Sequence, residues 1–285
     1  MRWQGRRGSR NVEDRRRSGI ARKAGGGGIG VIVLALVAIY FGVDPSIVLN
    51  RGGTLLEGSG SESQPYRPTP EEERLADFVS VVLADTEDTW NKLFEQVGRR
   101  YQEPKLVLFS GSVKSACGLG QAAMGPFYCP ADQKAYIDLS FYKDLKLRHR
   151  APGDFAQAYV IAHEIGHHVQ NLLGISKEVQ HLQQRVGRAE SNALSVKLEL
   201  QADCLSGVWA HDANRTRQLL ETGDVEEALN AASAIGDDRL QKQTRGYVTP
   251  ESFTHGTSAQ RVFWFKTGLK KGEINDCNTF AAKRL

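Results

Sequence analysis

Residues 159–170 read YVIAHEIGHHVQ, and the spacing inside this stretch organises the reading of the whole chain. Pro152-Gly153-Asp154 before it and Gly174 after it stand at cap positions, which predicts a helix over 154–173. At about 100° per residue, His163 and His167 differ by roughly 40° in azimuth and one turn in height. Both imidazoles therefore project from one face and can converge on one metal ion. Glu164 points roughly 60° away from His167. It stands beside such a metal without ligating it, placed to accept a proton from metal-bound water.

A catalytic metal site needs a third protein ligand and an open position for water. The next long segment, expected as one helix or a broken pair over 176–213, contains Glu199-Leu200-Gln201-Ala202-Asp203. Glu199 and Asp203 are four residues apart and share a face, with a small Ala202 that lets another helix come close. A crossing of the two helices would bring Glu199 to the metal as third ligand. Asp203 would then accept the free N–H of a ligating histidine. Leu198, Leu200 and Leu205 mark the segment as partly buried, which argues against a merely solvated acidic face.

Outward from this pair the remaining elements are simpler. An amphipathic helix is expected over 70–98, opened by Thr69-Pro70-Glu71-Glu72, a helix-start signature. Lys105–Phe109 reads as a short strand and residues 110–130 as a glycine-rich loop. Ala135–Phe141 alternates apolar and polar side chains, as a half-buried strand at a sheet edge does. Residues 226–240 hold one or two shorter helices, and Thr257–Lys271 a last one, with Trp209 and Trp264 as core. The fold class is α+β, helix-dominated, with a small sheet.

The 285 residues carry a net charge of only +4, but unevenly. Residues 1–28 hold nine basic side chains against two acidic ones, leaving the rest slightly negative. The 20 residues Ala24–Val43 are uncharged and reach roughly 30 Å as a helix, with an apolar part over 29–43. This predicts a basic cytoplasmic tail at 1–28 and a transmembrane anchor at 29–43. The arginines are then a positive-inside signal. A cleaved signal peptide is disfavoured by the lack of an Ala-x-Ala pair near Ala38 or Gly42, and a nucleic-acid arm by the topology. A flexible Gly/Ser/Pro-rich linker at 44–68 leads to a domain at 69–285. The expected location is the inner membrane, single-pass, with the C-terminal domain periplasmic or extracellular. Four cysteines, all in the domain, suggest two disulfides on the oxidising side. Cys117–Cys129 is the simplest pairing, and Cys204–Cys277 would then pin the C-terminus to the long helix.

HEIGHH followed about thirty residues later by ELQAD resembles the zincins with a glutamate ligand. MRWQGRR at the start, the single apolar run, HEIGHHVQ, ELQADC and the late SFTHGTSAQR together resemble the bacterial "putative neutral zinc metallopeptidase" family over nearly the whole chain. The resemblance implies a zincin-like domain and a membrane-tethered Zn²⁺ peptidase acting on peptide or protein substrates. It makes His163, His167 and Glu199 the zinc ligands and Glu164 the general base. The 135–141 strand occupies the position where zincins hold an extended substrate by strand addition. An oxyanion donor is also expected, with His255 and Tyr247 of GYVTPESFTHGTS as the two catalytic candidates. His168 is a packing or supporting residue, and His149, His181 and His211 surface histidines. The competing reading is a non-catalytic, zinc-stabilised envelope scaffold or peptide-binding domain. Glu164 speaks against it, because a purely structural zinc site has no use for a base.

Overall fold

A computed structural model of the chain describes residues 1–18 and 67–282. Five helices build the body. The first, α1 (Pro70–Gln96), starts where the sequence predicts. The Thr69 hydroxyl accepts the Glu72 N–H, and the Glu72 carboxylate accepts the Thr69 N–H. The helix that carries YVIAHEIGHHVQ, α3 (Asp154–Leu172), follows the short α2 (Ser140–Leu147). Its first free N–H, that of Phe155, is taken by Glu227 from another helix at 3.0 Å. Gly153 holds a φ of +119°, and a side chain there would collide with the Glu227 carboxylate. The 176–213 segment proves to be a broken pair, α4 (Ile175–Gln183) and α5 (Arg188–Arg217). Then come α6 (Asp224–Ala234), α7 (Asp237–Arg245) and α8 (Ser258–Lys271). The largest core is built by α1, α3, α5, α6 and α8, with Trp90, Phe155, Trp209 and Phe265 fully buried in it.

The sheet lies to one side, in the order β1 (Val12–Asp14), β2 (Lys105–Phe109), β6 (Lys134–Asp138), β5 (Phe127–Cys129). The first three strands run parallel and β5 antiparallel to β6. A separate hairpin, β3 (Ser112–Ser115) with β4 (Gly118–Gln121), precedes β5. Two expectations are corrected here. The strand expected over 135–141 stops at Asp138, and Phe141 belongs to α2. It is also an inner strand, paired on both sides, while the edge is β5 inside the expected 110–130 loop. The alternation misleads because both faces of β6 are covered. Ala135 and Ile137 join the main core, and Tyr136 joins a second cluster with Val107, Phe109, Val113 and Cys129. The two disulfides are Cys117–Cys129 and Cys204–Cys277.

The largest departure concerns residues 1–18. They do not stand apart from the domain as a tail. Trp3 is buried with its ring edge-on to Phe78 at 5.3 Å, β1 pairs with β2, and the Met1 ammonium sits 2.7 Å from Asp154 at the start of α3. Among the described residues no helix is long and apolar enough to cross a membrane. The anchor expected at 29–43, and the linker up to residue 66, lie outside the described residues.

A buried tryptophan in the arm has a measurable consequence. Trp3→Ala should destabilise the domain by about 3 kcal/mol in urea unfolding, the scale of truncating a buried aromatic side chain. An unattached tail would leave the unfolding midpoint unchanged.

Candidate metal centre

The two motifs meet where α3 crosses α5. A Cβ added at Gly166 would lie 3.0 Å from the carbonyl oxygen of Ala202 and 3.1 Å from its Cα. The helices therefore touch backbone to backbone at this point. Gly166 lies three residues after His163 and one before His167, and Ala202 stands likewise between Glu199 and Asp203. The point of closest approach thus shares a face with the polar groups on each helix. The Nε2 atom of His163 lies 3.2 Å from Glu199 Oε2, and His167 Nε2 lies 3.4 Å from Glu199 Oε1. One donor atom from each of the three residues falls within 4.8 Å of the others, a set that could hold a metal ion. Two imidazoles and a carboxylate suit zinc.

The outer ring nitrogens are fixed by acceptors, which turns each Nε2 inward toward Glu199. His163 Nδ1–H donates to Asp203 Oδ1 at 2.9 Å, and His167 Nδ1–H donates to Gln170 Oε1 at 2.9 Å. Asp203 is fully buried, but burial is outweighed by Arg261, whose Nε and Nη2 both donate to it at 2.9 Å, and by His163; its carboxyl stays below the usual range. Tyr159 donates its hydroxyl to the same carboxylate. Burial opposes the charge on His163, yet Asp203 and Glu199 raise its pKa to about 10. Gln170 is held in turn by donating to Leu198 O and Gln201 Oε1, and Gln201 donates to Cys277 O. The second disulfide is thereby tied to the orientation of His167.

Glu164 lies beside this group, 7% exposed, and burial pushes its carboxyl above the usual range, which keeps it basic enough to take up a proton. Glu164 and the three donor residues face an open cavity of about 1090 Å³, lined among others by Phe127, Tyr128, Tyr159 and His255. His255 comes from the loop before α8. Its ring lies 3.4 Å from Asp237 Oδ1, which raises its pKa against the effect of burial.

Tyr247 is 63% exposed and does not line the cavity, so the two late candidates separate. His149 is half-buried on the cavity wall rather than on the free surface, and His181 also borders the cavity. His211 is half-buried against α8, its Nδ1 donating to Leu269 O. His168 is buried, and desolvation drives its pKa down to about 4. Its neutral ring donates from Nε2 to Gln102 O and accepts the Tyr128 hydroxyl at Nδ1. Arg261, Tyr159, Gln170 and Gln201 have no individual signal in the sequence. Three of them sit inside the motif stretches already quoted, and Arg261 ends SFTHGTSAQR.

The chain matches the model of a family described as "Putative neutral zinc metallopeptidase" over residues 1–280. It belongs to that family. It is 54% identical to the uncharacterized protein YpfJ of Escherichia coli, over 98% of this chain and 99% of the relative. The uncharacterized protein Rv2575 of Mycobacterium tuberculosis is 39% identical, over 87% of this chain and 86% of the relative. No solved structure matches the chain.

The backbone contact at Gly166 makes a specific demand. Gly166→Ala should leave the fold intact, because alanine favours the helix by about 1 kcal/mol, while the added methyl pushes the helices apart. Zinc affinity measured against a chelator should fall roughly tenfold, on the scale of lost supporting contacts.

Proposed function

We propose that this chain hydrolyses peptide bonds, with His163, His167 and Glu199 holding a zinc ion and Glu164 acting as general base. The observation that carries the reading is the convergence of these three donors, with Glu164 beside them, on the wall of an open cavity. Zinc bound there supplies Lewis-acid polarisation of a carbonyl and a water that ionises near neutral pH. Glu164 takes the proton from the attacking water and passes it to the leaving amine. Its burial suits both halves of that task.

His255 is the donor for the developing oxyanion. Asp237 favours its protonated form and aims it, and the Asp237 carboxylate is itself fixed by the backbone N–H groups of Thr254, His255 and Gly256. Tyr247 has no part in this scheme. The extended substrate adds to the edge strand β5, whose Phe127 and Tyr128 line the cavity, rather than to the 135–141 segment. Metal attachment alone would also suit a zinc-stabilised scaffold, and the base distinguishes the two.

Glu164→Gln should keep zinc in full and lower hydrolysis of an unstructured protein substrate at least 100-fold. A variant that keeps both its zinc and its full activity would contradict the peptidase mechanism. His255→Ala should lower kcat by about 10²–10³ with little change in zinc content. Asp237→Asn removes the charge that raises the His255 pKa, so the alkaline limb of the kcat/KM profile should move to lower pH.

A further inference from the structure

Residues 1–18 and the body of the protein are one folded unit, and this bears on how the chain meets a membrane. Met1 is 7% exposed, and its ammonium lies 2.7 Å from Asp154, 3.2 Å from Asp224 and 3.3 Å from Glu221. Trp3 is buried against Phe78 of α1. Val12, Glu13 and Asp14 pair in register with Leu106, Val107 and Leu108. Ser9 and Asn11 both donate to the buried carboxylate of Glu87. These contacts reach α1, the start of α3, the start of α6 and the sheet, so they include the helix that carries His163 and His167.

The basic residues of the arm have partners in the same unit. Arg7 lies 2.7 Å from Asp88 and 3.6 Å from Glu87, and Arg6 donates to the carbonyl of Arg217. The Arg16 side chain is 1% exposed, between Asp14 and Glu73, and also donates to Glu72 O. A positive-inside signal is therefore not needed to explain these arginines. Arg16 and Arg17 reach residues 72 and 73, so the end of the arm lies against the first turn of α1.

A single crossing by the run 29–43 would place the arm and the domain on opposite sides of a hydrocarbon core about 30 Å thick. Contacts of about 3 Å between them cannot form across it. Two crossings would need about 20 apolar residues each. The 48 residues from 19 to 66 hold one uncharged run, Ala24–Val43, and beyond it Asp44, Arg51, Glu57 and Glu62 interrupt the sequence.

We propose that residues 1–18 and 67–282 lie on the same side of the membrane, and that any contact the apolar run makes with lipid is made from that side. The two disulfides make the shared side the oxidising one. On this reading the chain is not a single-pass protein with its arm and its domain on opposite sides of a membrane.

The test uses the full-length chain in intact Escherichia coli spheroplasts, labelled with a membrane-impermeant maleimide before and after lysis. The native cysteines are all paired, so Gln4→Cys in the arm and Lys146→Cys in the domain, both at exposed positions, report alone. Both should label before lysis. Protection of both until lysis would uphold the shared side and move it to the cytoplasm. One site labelled and the other protected would overturn the proposal.

Discussion

The structure depends on one close contact, the passage of α3 over α5 at Gly166 and Ala202. Both helices place a small residue three positions after one donor of the cluster and one position before the next polar group. The distance between helix axes therefore sets the distance between His163, His167 and Glu199 directly. Larger side chains at the crossing would hold the axes farther apart and leave the carboxylate short of the imidazoles. The same economy recurs lower on α5. A Cβ at Gly207 would meet the Phe265 carbonyl at 2.2 Å, and one at Gly268 would meet the Cys204 carbonyl at 1.8 Å. This second crossing seats α8 so that Arg261 reaches Asp203.

Buried charge is the cost of this design, and it is compensated locally. Asp203 is fully buried and would be strongly destabilising without partners. Arg261, Tyr159 and His163 supply four donors to its two oxygens. The result is a rigid post that fixes the first histidine. The second histidine is fixed by neutral groups, Gln170 and Gln201, which reach the Cys277 carbonyl. Two different chemistries thus hold equivalent rings, one ionic and one amide.

Much of the centre was legible in the sequence because its parts are local. Four-residue spacing places two side chains on one helix face, and HEIGH and ELQAD each satisfy it without knowledge of the fold. The disulfide pairing followed from the same kind of economy. Long-range partners were not legible. The arginines of residues 1–17 look like a topology signal because composition cannot show that Arg2, Arg7 and Arg17 reach Glu221, Asp88 and Glu73, far along the chain. Strict alternation over 135–141 could not reveal that a second hydrophobic cluster covers the polar face of β6. The edge strand β5 spans only three residues, too few for any periodicity. His255 and Tyr247 were equivalent in sequence, and only the turn at Asp237 directs the first toward the cavity and leaves the second in solvent.

The proposed function requires a three-donor zinc centre at the helix crossing. Zinc K-edge absorption spectroscopy on the purified full-length chain, with elemental analysis of the same sample, tests it most directly. One zinc per chain is expected, bound by two imidazoles and one carboxylate, with light-atom scatterers at about 2.0–2.1 Å and no sulfur. A folded protein without zinc, or one whose zinc is bound by sulfur or by a different number of imidazoles, would contradict it.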